Sequence, residues 1–344
     1  MNLSNLGKIL ATEPKYRQKQ AQEAVFIKKI DSWSEASSLP IALRETLANE
    51  VPLTINSEKI QKSGKDVAKV LIKLDDGQKI ETVLIKHRDK RNTICVSSQV
   101  GCSANCSFCA TGKLGFKRNL TVDEIILQVL YFARELKKTN EEVTNIVFMG
   151  MGEPFLNFDN VLAAVRIFND KDYFNIGARK ISISTCGVID GIKKLAAVDL
   201  QLNLAISLHA PFDEMRDEIM PINQAFPIRK LMQAARDFVS ATNRRVMFEY
   251  LLLPGINDTP ECAEELAKLI NHHLFFVNLI NYNEIEGFSL PKIYQAKPSD
   301  KKISINKYNI NEFKRILNKH KVKFTERYSF GGNIDAACGQ LAGK

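Results

Sequence analysis

The chain switches hydrophobic period twice. From residue 1 to about 52, apolar positions recur at helical spacing, as in "YRQKQAQEAVFIKKI" and "LPIALRETLANEV", and no run reads as a strand. This predicts a helical module too small to bury much on its own. Two β-branched runs follow, "KVLIKL" (69–74) and "ETVLIK" (81–86), joined by "DDGQKI", whose Asp76-Gly77 step marks a hairpin. From Arg91 onward the runs "TICVSS", "NIVFMG", "KISIST", "LNLAIS", "VMFEYLLL" and "FFVNLI" alternate with amphipathic stretches. Six buried strands alternating with helices predict a parallel sheet, because parallel neighbours need a crossover and the helices cover the faces. Thr121 and Glu124 set a T-x-x-E capping box ahead of Ile125, Val129 and Phe132, opening the first of those helices.

The expected fold is therefore α/β: a partial, open (β/α)6 barrel over residues 91–344, preceded by a helical accessory domain (1–52) and a β-hairpin adaptor (53–90). The unusual polar and glycine residues fall where these strands end: Gly150 to Glu153, Ser184-Thr185, Ser207-Leu208-His209, Glu249 and residues 278–283. In α/β sheets and barrels that edge carries the active site. An open barrel leaves a mouth wide enough for a macromolecule.

Composition sharpens this only a little. With 344 residues, 45% hydrophobic and 25% charged, the chain can bury a large core. Its 48 Lys and Arg against 39 Asp and Glu give a net charge of +9, which suits a polyanion such as RNA, although a solvated basic face explains the same count. Nine of the basic residues lie between Lys297 and Lys323, and Lys113, Lys117 and Arg118 directly follow a cysteine cluster. No stretch approaches the roughly 20 apolar residues of a membrane span, and the N-terminus has no signal-like apolar region. A cytoplasmic, monomeric protein with no membrane partner is expected. In that reducing setting the seven cysteines (95, 102, 106, 109, 186, 262, 338) point to metal or redox chemistry rather than structural disulfides.

Three of them form "CSANCSFC": Cys102, Cys106 and Cys109, with no fourth cysteine or histidine nearby. A structural zinc site wants four ligands. A cubane [4Fe-4S] cluster held by three cysteines keeps one iron open to chelate a small molecule. The C-x3-C-x2-C loop after the first barrel strand resembles the radical S-adenosylmethionine superfamily, in which the amino and carboxylate groups of the cofactor bind the open iron and a 5′-deoxyadenosyl radical is produced. The resemblance implies one [4Fe-4S] cluster and S-adenosylmethionine. Gly152 and Glu153 in "GMGEP" then fit a closely approached backbone and an acceptor for the cofactor ammonium. Ser184, Ser207, Leu208 and His209 are candidates for its carboxylate and ribose, and Asn283 for the adenine edge. Each is otherwise an ordinary strand-end residue.

Two thiols remain outside the cluster motif. Cys338 sits among small residues in "GGNIDAACGQLAG", as a mobile thiol or a buried small side chain, and Cys95 sits in "NTICVSSQVGC", in a strand. Taken in order, "CVSSQVGC", "MGMGEP", "SLHAP", "MPIN" and "NIDAACGQL" closely resemble the RlmN/Cfr family of adenosine methyltransferases over nearly the whole chain. The family resemblance implies ping-pong chemistry with two S-adenosylmethionine molecules per turnover. Cys338 is first methylated, its methyl group is activated as a radical that adds to the base, Glu81 accepts the ring proton, and Cys95 resolves the adduct through a transient disulfide. It implies 23S ribosomal RNA as substrate, tRNA beside the anticodon as a second one, and a reductant such as flavodoxin or ferredoxin. Pro154 in "GMGEP" matches the carbon-2 branch rather than the carbon-8 resistance branch. Methylation of carbon 8 is the alternative, and two further rivals are a radical enzyme acting on a small molecule, which would leave Cys338, Cys95 and the basic module idle, and a non-catalytic, metal-containing RNA-binding protein. Cys186, where relatives often carry serine, and Cys262 receive no role; "GGNIDAACGQ" stands where the family carries "GDDIDAACGQ".

Overall fold

The computed structural model describes residues 2–282, 307–327 and 334–343. Three helices open the chain, α1 (Leu3–Ala11), α2 (Lys15–Gln22) and α3 (Ile41–Glu50), with a π-helical turn at Glu23–Ile27. Next come β1 (Ser57–Ser63), β2 (Val67–Lys73), β3 (Lys79–Lys86), β4 (Asn92–Cys95) and β5 (Gln99–Gly101), then α4 (Ala110–Lys113), β6 (Phe116–Asn119) and α5 (Val122–Lys137). The repeating part continues as β7 (Asn145–Phe148), α6 (Phe158–Asn169), β8 (Ile181–Thr185), α7 (Ile189–Ala196), β9 (Asn203–Ser207), α8 (Asp213–Ile219), α9 (Ile228–Thr242), β10 (Val246–Leu252), α10 (Pro260–Leu269), β11 (Phe275–Asn281), α11 (Lys307–Lys319) and β12 (Phe324–Arg327).

Ten strands form one sheet in the order β1-β2-β3-β4-β7-β8-β9-β10-β11-β12. Pairing is antiparallel from β1 to β4 and parallel from β4 to β12. The six expected barrel strands are all present. A seventh, β12, extends them beside β11, and the hairpin has a third strand, β1. The hairpin is no separate adaptor either, since β3 pairs directly with β4 and continues the barrel sheet. The helical module packs on α5 and on the loop after α6: Arg134 donates to the carbonyls of Leu53 (2.8 Å) and Ile30 (2.6 Å), and Phe26 meets Tyr173 and Phe174. One continuous apolar core therefore runs from Leu6 to Leu341. The Thr121–Glu124 capping box opens α5 as its sequence requires.

Register decides which residues can work together. Residues paired across a ladder project to the same face, and alternate residues along a strand share it. Lys69 pairs with Val83, Val83 with Cys95, Cys95 with Val147 and Val147 with Ser182. Ser184 and Ser207 lie on that face by alternation, as does Glu81, two residues from Val83. Lys69, Glu81, Cys95, Ser184 and Ser207 thus share the inner surface of one sheet, across the join between hairpin and barrel.

Candidate active site

A cavity of about 840 Å3, counted to its open mouth, lies at the C-terminal ends of β7 to β11. Cys102, Cys106 and Cys109 line it together with Gly150, Gly152, Glu153, Ser184, Ser207, His209 and Cys338. The cysteine loop owes its shape to backbone bonds. Cys102 N donates to Gly115 O (3.2 Å), Cys109 N to Cys106 O (3.1 Å) and Ser107 N to Ile219 O (3.0 Å). Burial pushes the Cys102 thiol up to about 12, and burial with its two cysteine neighbours pushes Cys106 well above the ordinary range. Only bonding to a strongly electrophilic metal would hold such a set as thiolates. The three thiols line one cavity, and no group of three or more His, Cys, Asp or Glu among the described residues is arranged to hold a single ion.

The glycine loop after β7 is built for close approach. A Cβ on Gly150 would stand 2.7 Å from Val96 O, and one on Gly152, whose φ is +99°, would stand 2.5 Å from Gln99 Cβ. Glu153 follows, 3% exposed. Its Oε1 accepts from Phe155 N (3.0 Å) and its Oε2 from Cys186 N (2.7 Å). Burial raises this carboxyl, and donors from Cys186, Phe155 and Thr185 pull it back down. Backbone donors therefore fix this carboxyl in the cavity wall.

His209 is held in the left-handed region (φ +56°), with Nδ1 accepting from Leu251 N (3.0 Å) and the ring edge-on to Phe108 at 4.9 Å. Burial, aided by the Arg216 charge, lowers it to about 3, so the ring is neutral at physiological pH. Leu208 lies between two cavity residues but is fully buried and does not line the cavity; its carbonyl accepts from Arg216 Nε (3.0 Å). Arg216, also fully buried, bonds the carbonyls of Cys186 (2.7 Å) and Ser207 (3.0 Å) and Asn223 Oδ1 (2.9 Å), tying the ends of β8 and β9 to α8. Glu249 lines the cavity as its expected place at the active edge requires, and Cys186 and Met220, to which the sequence gives no role, line it as well. Cys186 directly follows β8 and Met220 caps α8, and these end positions are the only signal that marks them, whereas Glu249 lies inside β10. Asn283 lies outside the described residues.

The segment 334–343 crosses the mouth. Ala110 N donates to Gly339 O (2.7 Å) and Thr111 Oγ1 to Leu341 O (2.6 Å), so α4, which follows Cys109, holds the segment beside the cysteine loop. This places Cys338, an exposed thiol, in the cavity wall. Cys95 (8% exposed) and Glu81 (0%) face the same interior but do not line the cavity. Glu81 lies under the segment: Oε2 accepts from Ala342 N (2.7 Å) and Gly343 N (3.0 Å), and Lys69 Nζ is 2.7 Å from Oε1. None of the seven cysteines forms a disulfide, so Cys95 and Cys338 are not bridged here. No helix among the described residues is long and apolar enough to cross a membrane. In the described part of the basic C-terminal run, Lys314 pairs with Glu326, Arg315 with Glu312 and Lys319 with Glu264.

Comparison with known proteins gives these features a setting. Residues 96–270 match the model of the radical SAM superfamily. The chain is 44% identical to the "probable dual-specificity RNA methyltransferase RlmN" of Spiroplasma citri, over 96% of this chain and 92% of the relative. It is 43% identical to the protein so named in Dictyoglomus thermophilum, over 96% and 91%. The crystal structure of a radical SAM methyltransferase from Sphaerobacter thermophilus superimposes with a TM-score of 0.90 at 40% identity, covering 100% of this chain and 98% of that one.

Proposed function

Because the chain belongs to the radical SAM superfamily and, within it, to the RlmN family of methyltransferases, we propose that it methylates carbon 2 of an adenosine in 23S ribosomal RNA through a methyl group carried on Cys338. The observation that carries this reading is that Cys338 lines the same cavity as Cys102, Cys106 and Cys109. The name "dual-specificity" on its relatives supports tRNA as a second substrate.

Carbon 2 of adenine is electron-poor and a weak nucleophile, so polar transfer of a methyl cation to it is disfavoured. When bound by Cys102, Cys106 and Cys109, a [4Fe-4S] cluster with chelated S-adenosylmethionine supplies one-electron, hydrogen-abstracting chemistry instead. Cys338 takes its methyl group by displacement from a first S-adenosylmethionine, as a thiolate would. Its sulfur then stays bonded to the carbon that joins the base. Gly152 lets the backbone approach the second cofactor molecule and Glu153 faces its ammonium, with Ser184, Ser207 and His209 on the surrounding wall. His209 does so as an uncharged ring. Glu81 accepts the ring proton, and the unpaired electron of the adduct would return to the one-electron chemistry that the cluster supplies. Cys95 then attacks the Cys338 sulfur, the C–S bonding pair leaves with the methylene carbon, which takes up a proton to become the methyl group, and cellular thiols reduce the resulting disulfide. An electron-transfer protein such as flavodoxin or ferredoxin supplies the electron. The target base must be unstacked to enter, which favours a loop or an extruded nucleotide.

The test is anaerobic reconstitution with iron and sulfide, addition of S-adenosylmethionine, reductant and unmodified ribosomal RNA, and mass-spectrometric mapping of the product. Methyl-adenosine formed equally well by Cys338→Ala defeats the protein-borne methyl group. Cys95→Ala is expected to accumulate a protein–RNA crosslink.

A further inference from the structure

We infer that Lys69 and Glu81 form a latch that seats the Cys338 segment over the cavity, so that both are positioning residues for the methyl carrier; this rests on reading Cys338 as that carrier. The two side chains face inward from neighbouring strands of the hairpin and are buried: Glu81 is 0% exposed and Lys69 5%. A carboxylate buried this way is retained only where it is paired and fully bonded.

Its partners lie on both sides of Cys338. The Lys69 ammonium, 2.7 Å from Glu81 Oε1, also donates to the carbonyl of Asp335 at 3.2 Å, ahead of the thiol. Glu81 Oε2 takes the amides of Ala342 (2.7 Å) and Gly343 (3.0 Å), after it. Charge-assisted bonds to main-chain groups are about twice as strong as neutral ones, and these do not depend on which side chains the segment carries. Gly343 takes a left-handed conformation at φ +66°, which glycine adopts without strain.

The arrangement gives one carboxylate two successive states. With the latch closed, the Glu81 carboxyl is turned to two amides and the Lys69 side chain beneath the segment and does not line the cavity, and Cys338 is held for methylation. To take the ring proton, which leaves carbon 2 with its bonding electrons remaining on the ring, Glu81 must reach the cavity from which the segment bonded to it now separates it. Closed and proton-accepting states therefore exclude each other, and the segment must withdraw between the two half-reactions.

The test is amide hydrogen exchange by mass spectrometry on the full chain without ligand, in wild type, Lys69→Met, Lys69→Arg, Glu81→Gln and the double variant Lys69→Met/Glu81→Gln. Peptides covering 334–343 are expected to exchange about tenfold faster in Lys69→Met and the double variant, less so in Glu81→Gln, which keeps one acceptor, while β8 and β9 stay protected. Lys69→Arg, which keeps a donor, is expected to remain within about threefold of wild type. Methylation of Cys338 by S-adenosylmethionine alone, read as intact mass without RNA, should slow in the same order. Unchanged exchange in 334–343 in the double variant overturns the latch, and so does loss of protection throughout the chain, which would assign the pair to the core. Failure of the wild type to methylate Cys338 would sink the carrier reading, and the exchange data would still decide the latch.

Discussion

Gly152→Ala separates cofactor binding from cluster assembly. The new Cβ would lie 2.5 Å from Gln99 Cβ and 2.7 Å from both Gln99 Cγ and Gln99 N, against the roughly 3.5 Å at which carbon atoms rest, an overlap of about 1 Å. Gln99 cannot swing aside cheaply. Its Nε2 donates to Asn119 Oδ1 (2.8 Å), its Oε1 accepts from Glu153 N (2.9 Å), and two of the three clashing atoms are at its own backbone end. Overpacking costs about 1–3 kcal/mol, and alanine at φ +99° adds a further penalty of about 1–3 kcal/mol. The loop will relieve part of this by moving on the order of an ångström, carrying Glu153 with it, and misplacement of that size typically costs about a hundredfold. Equilibrium dialysis of the iron-loaded protein should therefore show S-adenosylmethionine affinity reduced about 10- to 100-fold, with iron content and visible absorbance unchanged. Gly77→Ala is the control, because its φ of +82° is similar but nothing lies within 4 Å of the added Cβ. It should lose a little stability and no affinity. Wild-type affinity in Gly152→Ala refutes the reasoning, and loss of iron together with affinity would show that the loop supports the cluster rather than the ligand.

His209→Asn should preserve the left-handed turn, which asparagine tolerates, and flatten the acid limb of stability. In the wild type the folded ring, lowered to about 3, stays neutral while the unfolded one protonates below about 6.5, so this group's contribution is present above the unfolded value and is lost as pH falls toward 3. Urea unfolding between about pH 4 and pH 7.5 should show a slope difference of up to about 1.4 kcal/mol per pH unit, and parallel curves would remove the assignment. Arg216→Met strips buried bonds from Leu208, Cys186, Ser207 and Asn223 at once, and is expected to cost about 3–5 kcal/mol in denaturant unfolding and to weaken S-adenosylmethionine binding. Unchanged unfolding would mean that water replaces the guanidinium. Arg216→Lys should fail to rescue, because an ammonium cannot span those four acceptors.

The barrel strands were legible because parallel strands covered on both faces read as unbroken apolar runs. The cysteine loop and "GMGEP" were legible because their spacing is local. What was not legible is non-local. β1 and β12 are the edge strands of the sheet, and their polar sequences "SEKIQKS" and "FTER" carry no buried-strand signature. The small β5–β6 pair is set by Gly101 against Gly115, where an added Cβ would sit 1.7 Å from a carbonyl oxygen. Ser207, Leu208 and His209 read as one polar step, but backbone alternation sends the middle residue into the core. Glu81 was marked by the family resemblance as a proton acceptor, but nothing in "ETVLIK" reveals that residues 342 and 343 fold back onto it.

The continuity of the hairpin with the barrel sets how this chemistry can drift over generations. Lys69, Glu81 and Cys95 belong to one hydrogen-bonded ladder, and a slip of one residue would turn each of them to the outer surface. Their mutual spacing is inherited as a block, beyond the reach of gradual adjustment. Novelty in substrate or timing has to arise in the loops above the ladder, where insertions leave that block untouched.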